Sequence, residues 1–222
     1  MKGSRREVRH VVWDWNGTLL DDLAATVIAT RASLRGLSRV KVSVGEYRQI
    51  FARPVRPFHE ALVGRALSDS EWCTVNDRFY DCYRRLESRV RLADGARIAL
   101  ESFHRAGIVQ SVLSRTRHER LVAAVEKYEL TDYFSIVDGA TDHLDSSKSL
   151  ALRRHLAVAG TDPESVVMVG DTVDDAAAAG TARLGCLLVA GCSFETMAKL
   201  QAAGQVVNDL SDVVAVLLHR TG

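Results

Sequence analysis

The chain has 222 residues, 47% of them hydrophobic and 26% charged, and its 29 lysines and arginines against 28 aspartates and glutamates leave a formal net charge of +1. That length holds one full domain plus a smaller insertion, with apolar content enough for a sizeable core. Near-neutral charge argues against nucleic acid or a membrane surface as the main partner, and no apolar run approaches spanning length. The four cysteines (Cys73, Cys82, Cys186 and Cys192) form no Cys-x-x-Cys pair, as expected of reduced thiols in a cytoplasmic protein. Lys2, Arg5, Arg6 and Arg9 open the chain with no apolar signal core behind them.

In chain order, Val8 to Trp13 is β-branched and aromatic and reads as a buried strand. It stops at Asp14, Gly17 supplies a turn, and Leu23, Val27, Ile28 and Leu34 then repeat at helical spacing as far as Gly36. From Arg39 to about Leu92 the pattern is helical with no convincing strand. The prolines at 54 and 57 mark a loop or helix boundary. Ser68-Asp69-Ser70-Glu71 reads as the capped start of a long helix through Trp72, Val75, Phe79, Tyr83 and Leu86. The segment 21–92 is therefore predicted to be an all-helical insertion.

Past Asp94-Gly95 strands and helices alternate. Helices are expected over Ala96–Ala106, Glu119–Tyr128, Lys148–Val158, Asp175–Ala179 and Leu210–Leu217. Strands are expected over Ile108–Leu113, Ser135–Val137, Ser165–Val169, Leu184–Val189 and Val206–Val207. This rhythm specifies α/β architecture, a three-layer, doubly wound and mainly parallel sheet, formed by residues 1–20 and 93–222.

Ligands of such sheets bind where strands end, and polar groups sit at several strand ends or nearby loops: Asp14 with Asn16 and Thr18, Ser114, Lys148, and Asp171 with Asp174 and Asp175. Each alone fits a turn or a helix start. Together, two carboxylates, a lysine and hydroxyl donors suit Mg2+ and a phosphate, because magnesium takes oxygen ligands and shares its shell with substrate and water. A carboxylate is also a competent phosphoryl-accepting nucleophile.

With these motifs in order, the sequence resembles the haloacid dehalogenase superfamily, in its phosphatase branch with a helical cap after the first strand. Asp14-Trp15-Asn16-Gly17-Thr18 matches the family's Asp-x-Asp-Gly-Thr motif, Ser114 the second motif, Lys148 the third, and Gly170-Asp171-Thr172-Val173-Asp174-Asp175 the fourth. The resemblance implies a doubly wound Rossmann-like core and a cap over 21–92. It implies Asp14 as nucleophile, and magnesium on Asp14, the Asn16 backbone carbonyl and Asp171, supported by Asp175. Thr18 would orient Asp14, while Gly17, Ser114, Arg115 and Lys148 would bind the phosphate. A small phosphorylated metabolite is the implied partner and phosphoglycolate a candidate by analogy, with the protein a monomer or homodimer.

Asn16 departs from the family, whose phosphatases place an acid there to protonate the leaving oxygen. An amide cannot do this, which forfeits about 10²–10⁴-fold. Three readings stay open: substrates with good leaving groups, a replacement among Asp21, Asp22, His59 or a cap residue, or a phosphate-binding protein without turnover. A cap lysine, which the phosphonate-cleaving branch needs, is present only as Lys41. The cap should select the substrate, with Arg53 and Arg56 as candidate anion clamps. Trp72, Phe79, Tyr80 and Tyr83 read as cap core or the cap's inner face rather than a specific pocket. Trp13 is expected to pack inside and Trp15 on the opposite side, toward cap or substrate.

Overall fold

A computed structural model describes residues 7–38, 42–141 and 147–218. Lys2, Arg5, Arg6, Arg39 and Lys41 lie outside the described residues. Among those described, a parallel sheet of six strands runs in the order β5-β4-β1-β6-β7-β8, from β1 (His10–Trp13), β4 (Val109–Arg117), β5 (Ile136–Ala140), β6 (Val166–Gly170), β7 (Gly185–Val189) and β8 (Val206–Val207). The central strand β1 pairs β4 on one side and β6 on the other, with Trp13 opposite Val112 and Val169. A strand covered on both faces must be apolar throughout, and all four residues of β1 are buried.

Helices cover both faces. Val12, Leu113 and Met168 point to one side, where Leu152 and Leu156 of α7 (Lys148–Ala159) and Ala178 and Ala179 of α8 (Val173–Ala182) complete a small core. Val11, Trp13, Val112 and Val169 point to the other. There they pack with α5 (Ala96–Arg105), α6 (His118–Lys127) and α10 (Leu210–Leu218). The α/β, doubly wound expectation is met.

Between β1 and α5 the chain forms α1 (Leu23–Ser33), α2 (Val44–Ile50), α3 (Val55–Val63) and α4 (Asp69–Leu86). Ser68 and Glu71 close the expected capping box of α4. Pro54 is the N-cap of α3, so the proline-punctuated stretch is a helix boundary. These helices share their own core, Leu23, Val27, Tyr47, Phe51, Phe58, Leu62 and Val75, joined by Phe194 from beyond β7.

Three details differ from the sequence reading. Two-residue strands β2 (Leu20–Asp21) and β3 (Arg91–Leu92) pair antiparallel at the two chain crossings into the helical segment; strands this short carry no periodicity to read. A further helix, α9 (Met197–Ala203), precedes β8. Trp15 does not lie opposite Trp13: it is 1% exposed, in the same core as Trp13, tilted against Tyr128. Residues two apart share a face of an extended chain, so alternation itself sets Trp15 on the side of Trp13.

Candidate active site

Two neighbouring strand ends and the helix after the second build the site. The Asp14 N–H donates to the Val169 carbonyl at 2.8 Å, which holds the first residue after β1 against the end of β6. Asp171 is the first residue after β6. Asp175 is the third residue of α8, where Thr172 and Asp175 cap the helix reciprocally, and its Oδ2 accepts from the Asp171 and Thr172 N–H groups at 3.1 and 3.0 Å. One carboxylate oxygen from each of Asp14, Asp171 and Asp175 lies within 4.8 Å of the others, and all three residues are buried.

Lys148, the first residue of α7, is 5% exposed and its Nζ contacts both Asp14 Oδ1 and Asp175 Oδ1. Burial opposes its charge, but the two carboxylates outweigh burial and keep it protonated. Burial pushes Asp14 up to about 6 against the pull of Lys148 and Arg53. Asp171 is raised well above the carboxylate range, first by burial and then by Asp14 and Asp175. Asp175 goes the other way: Lys148 and the Thr172 donors overcome its desolvation. Three buried carboxylates facing one ammonium form a site with excess negative charge, and oxygen-only donors suit a hard divalent cation.

Backbone shape makes this convergence possible. Gly17 has φ +78°, and a Cβ there would lie 2.3 Å from Asp171 Oδ2 and 2.7 Å from the Phe194 ring. At Gly170 a Cβ would meet the Asp175 carboxyl group at 2.3 Å. Only glycine lets the two motif loops approach this closely.

The remaining sequence candidates divide. Ser114 is buried beside the end of β1 and accepts the Thr116 N–H at 3.1 Å. It falls inside β4, which continues through a register irregularity to Arg117 rather than ending at Leu113. Thr18 donates to Asp171 Oδ1 at 3.4 Å, so it orients Asp171 and not Asp14. Arg115 is bonded to Asp174 at 2.9 Å. Arg53 lies close enough to Asp14 to favour its charge. Arg56 does not clamp an anion at the site: its three nitrogens bind Glu60, Asp69 and the Leu67 carbonyl within the helical segment.

At the acid position, Asn16 Nδ2 donates to Asp22 Oδ2 at 2.7 Å, and Thr116 Oγ1 donates to Asn16 Oδ1 at 2.7 Å. Asp22 is 2% exposed, also accepts from Tyr83 at 2.7 Å and Thr26 at 3.3 Å, and is raised to about 6 by burial against those donors. Asp21 is exposed on β2, and His59 is buried against Phe58 and Trp72 with Nδ1 on the Val55 carbonyl. Of the alternatives read from the sequence, Asp22 is therefore the one bonded to Asn16. Of the four aromatics of the helical segment, Trp72, Phe79 and Tyr80 pack with neighbouring rings or with Arg120 of α6, whereas Tyr83 reaches Asp22. Tyr83, one of the aromatics read as cap core or inner face, is the one that reaches the site; sequence reasoning missed Phe194, which stands in no motif.

The haloacid dehalogenase-like hydrolase family model matches residues 8–183. The chain belongs to this hydrolase family. As a haloacid dehalogenase-like enzyme it has relatives at modest identity. It is 31% identical to a phosphoglycolate phosphatase of Chromobacterium violaceum, across 94% of this chain and 96% of the relative. With phosphoglycolate phosphatase 1 of Pseudomonas aeruginosa the figure is 26%, across 93% and 78%. Among solved structures, a phosphatase inferred from sequence in Clostridium acetobutylicum superposes with a TM-score of 0.84, at 19% identity over 96% of this chain and 100% of the other. That likeness shows the fold. No helix among the described residues is long and apolar enough to cross a membrane.

Proposed function

We propose that this hydrolase is a magnesium-dependent phosphatase that acts on a small phosphorylated metabolite through a covalent phosphoryl group on Asp14. The observation carrying the proposal is the convergence of the Asp14, Asp171 and Asp175 carboxylates within 4.8 Å, with Lys148 between Asp14 and Asp175. The donor set fits the ion: oxygen only, buried, and more anionic than one lysine can neutralise. Asp14, Asp171 and the Asn16 carbonyl would hold it, with Asp175 supporting from behind. Bound there, magnesium supplies charge neutralisation for the incoming phosphate.

In this reading Asp14 attacks phosphorus, the P–O bond to the leaving oxygen breaks, and the bond pair departs with that oxygen. Lys148 keeps the attacking carboxylate oriented and, with Ser114 and the backbone around Gly17, holds the phosphate oxygens on which charge gathers. Water then cleaves the acyl phosphate and regenerates Asp14. Asn16 donates no proton to the leaving oxygen, so the fastest substrates are those whose leaving group departs as a stable anion.

Residues 21–92 act as a cap over a core of residues 1–20 and 93–222, and Arg53 of the cap, near Asp14, pairs with a second anionic group of the substrate. A phosphorylated carboxylic acid such as phosphoglycolate meets that description, and the Chromobacterium violaceum relative carries that substrate in its name. The test is phosphate release from an aryl phosphate, an acyl phosphate and 2-phosphoglycolate, with magnesium and with chelator. Magnesium-dependent release from the first two supports the mechanism, and release from the third supports the substrate class. Inertness toward all three in a folded, magnesium-binding chain supports the phosphate-binding reading instead.

A further inference from the structure

The loop after β7 touches both the cap and the candidate metal site. On the site side, the Phe194 N–H donates to Asp171 Oδ2 at 3.0 Å and Ser193 Oγ donates to the Asp171 carbonyl at 2.5 Å. Glu195 accepts the Val173 N–H at the start of α8 at 2.9 Å. The Phe194 ring also lies directly over Gly17 of the nucleophile loop, leaving no room for a Cβ there.

On the cap side, the same ring is 5.5 Å from Phe51 and 6.4 Å from Tyr47, centroid to centroid, within the aromatic core of the cap. Arg48 of α2 donates to the Ser193 carbonyl at 2.9 Å and the Gly191 carbonyl at 3.3 Å. Lys199 returns the contact, donating to the Phe51 carbonyl at 2.9 Å. A loop tied this closely to the cap cannot shift without moving the N–H that holds Asp171.

We propose that Phe194 is a positioning residue through which docking of the cap sets the orientation of the Asp171 carboxylate, and that Arg48 clamps the loop in that state. This inference rests on the reading of Asp171 as a metal ligand. Its physical basis is that a buried carboxylate takes the orientation its strongest donors allow, and the groups bonded to a metal ligand tune affinity for the ion. Undocking the cap removes the ring's apolar partners and the two guanidinium bonds together, which frees the loop and with it Oδ2 of Asp171.

The test is calorimetric titration of the intact chain with magnesium alone, without substrate, for the native protein and for Phe194→Ala, Phe194→Leu, Arg48→Ala, Arg48→Lys and Asp171→Asn. Asp171→Asn is expected to abolish binding. Phe194→Ala keeps the N–H but removes the ring that fixes its position against the cap, and is expected to weaken binding about tenfold, the lower end of what disturbing a ligand's partner costs. Phe194→Leu keeps the N–H and most of the apolar contact and is expected to retain more affinity. Arg48→Ala should weaken binding several-fold although Arg48 touches no carboxylate of the site, and Arg48→Lys should recover part of the loss. Binding unaffected by Asp171→Asn sinks the ligand assignment. Binding lost in Asp171→Asn but native in folded Arg48→Ala, and in Phe194→Ala where it folds, overturns the coupling. If Phe194→Ala does not fold, the Arg48 pair decides alone.

Discussion

Asn16 Nδ2 stands 2.7 Å from Asp22 Oδ2, so the amide at the family's acid position is the partner of a buried carboxylate. Thr116 holds the other end of the same amide. The departure at position 16 is thus matched by its surroundings: an acid there would face the Asp22 carboxylate in a buried site, where like charges disfavour each other. Asn16→Asp alone is expected to lower the melting temperature and give no gain in turnover. The double variant Asn16→Asp with Asp22→Asn restores a donor–acceptor pair with the roles exchanged. It should raise kcat on an alkyl phosphate, within the ~10²–10⁴-fold range of general acid catalysis, and change an aryl phosphate little. A gain in Asn16→Asp alone would show that Asp22 does not oppose an acid there.

Arg53 and Arg56 are close in sequence and separate in role. The Arg53 guanidinium stands over the Phe51 ring and favours the charged form of Asp14, whereas Arg56 is bound to Glu60, Asp69 and the Leu67 carbonyl. Arg53→Ala should raise KM for 2-phosphoglycolate about tenfold or more, the worth of one charge-assisted bond at ~1.5–3 kcal/mol, and leave KM for an aryl phosphate nearly unchanged. Arg56→Ala should leave both KM values near native. Steady-state kinetics on the two substrates checks both expectations, and equal effects of the two variants contradict them.

Under the sheet a buried chain of polar groups has no part in the site. Ser111 Oγ is 2.7 Å from Nε2 of both His10 and His155, His155 Nδ1 is 3.1 Å from Asp138, and His10 Nδ1 is 3.2 Å from Thr161. Burial, then the neighbouring His155, lowers His10 from 6.5 to about 4. Below pH 6.5 the unfolded chain takes up a proton that the folded chain resists until about pH 4, so this contribution is intact above pH 6.5 and lost as pH falls through that window. The full difference is on the order of 3 kcal/mol. Chemical denaturation at pH 7 and pH 4.5 should show the loss, and His10→Gln should flatten it. An equally steep profile in His10→Gln contradicts the assignment.

Gly17→Ala carries two penalties at once: a left-handed φ of +78° and a Cβ 2.3 Å from Asp171 Oδ2. The strain alone is about 1–3 kcal/mol, and relief requires Asp171 or Phe194 to move. Magnesium titration and thermal melting should both report large losses. A variant with native magnesium affinity contradicts the close packing of the two motif loops.

Much of this was legible in the sequence because parallel strands buried on both faces are continuous apolar runs, and β1, β6 and β7 stand out as such. The motif residues Asp14, Lys148, Asp171 and Asp175 could be placed because each abuts such a strand or opens a helix. What escaped has no local signature. The two-residue strands β2 and β3 exist only through each other. Arg56 looked free because Glu60, Asp69 and the Leu67 carbonyl converge on it only in the folded helices. Asp22 stood in view as one of several acids, but nothing linear tied it to Asn16 and Tyr83. Phe194 is a lone aromatic in a loop, joined to Asp171 by a backbone N–H that any residue but proline supplies.

The most direct measurement is acid quench of the native chain during turnover of a phosphate-labelled aryl phosphate, followed by peptide mapping. The account predicts a hydroxylamine-labile label on the peptide carrying Asp14, dependent on magnesium, and loss of both label and turnover in Asp14→Asn. Turnover that persists in Asp14→Asn, or a native chain that turns over with the label on another residue, would contradict it.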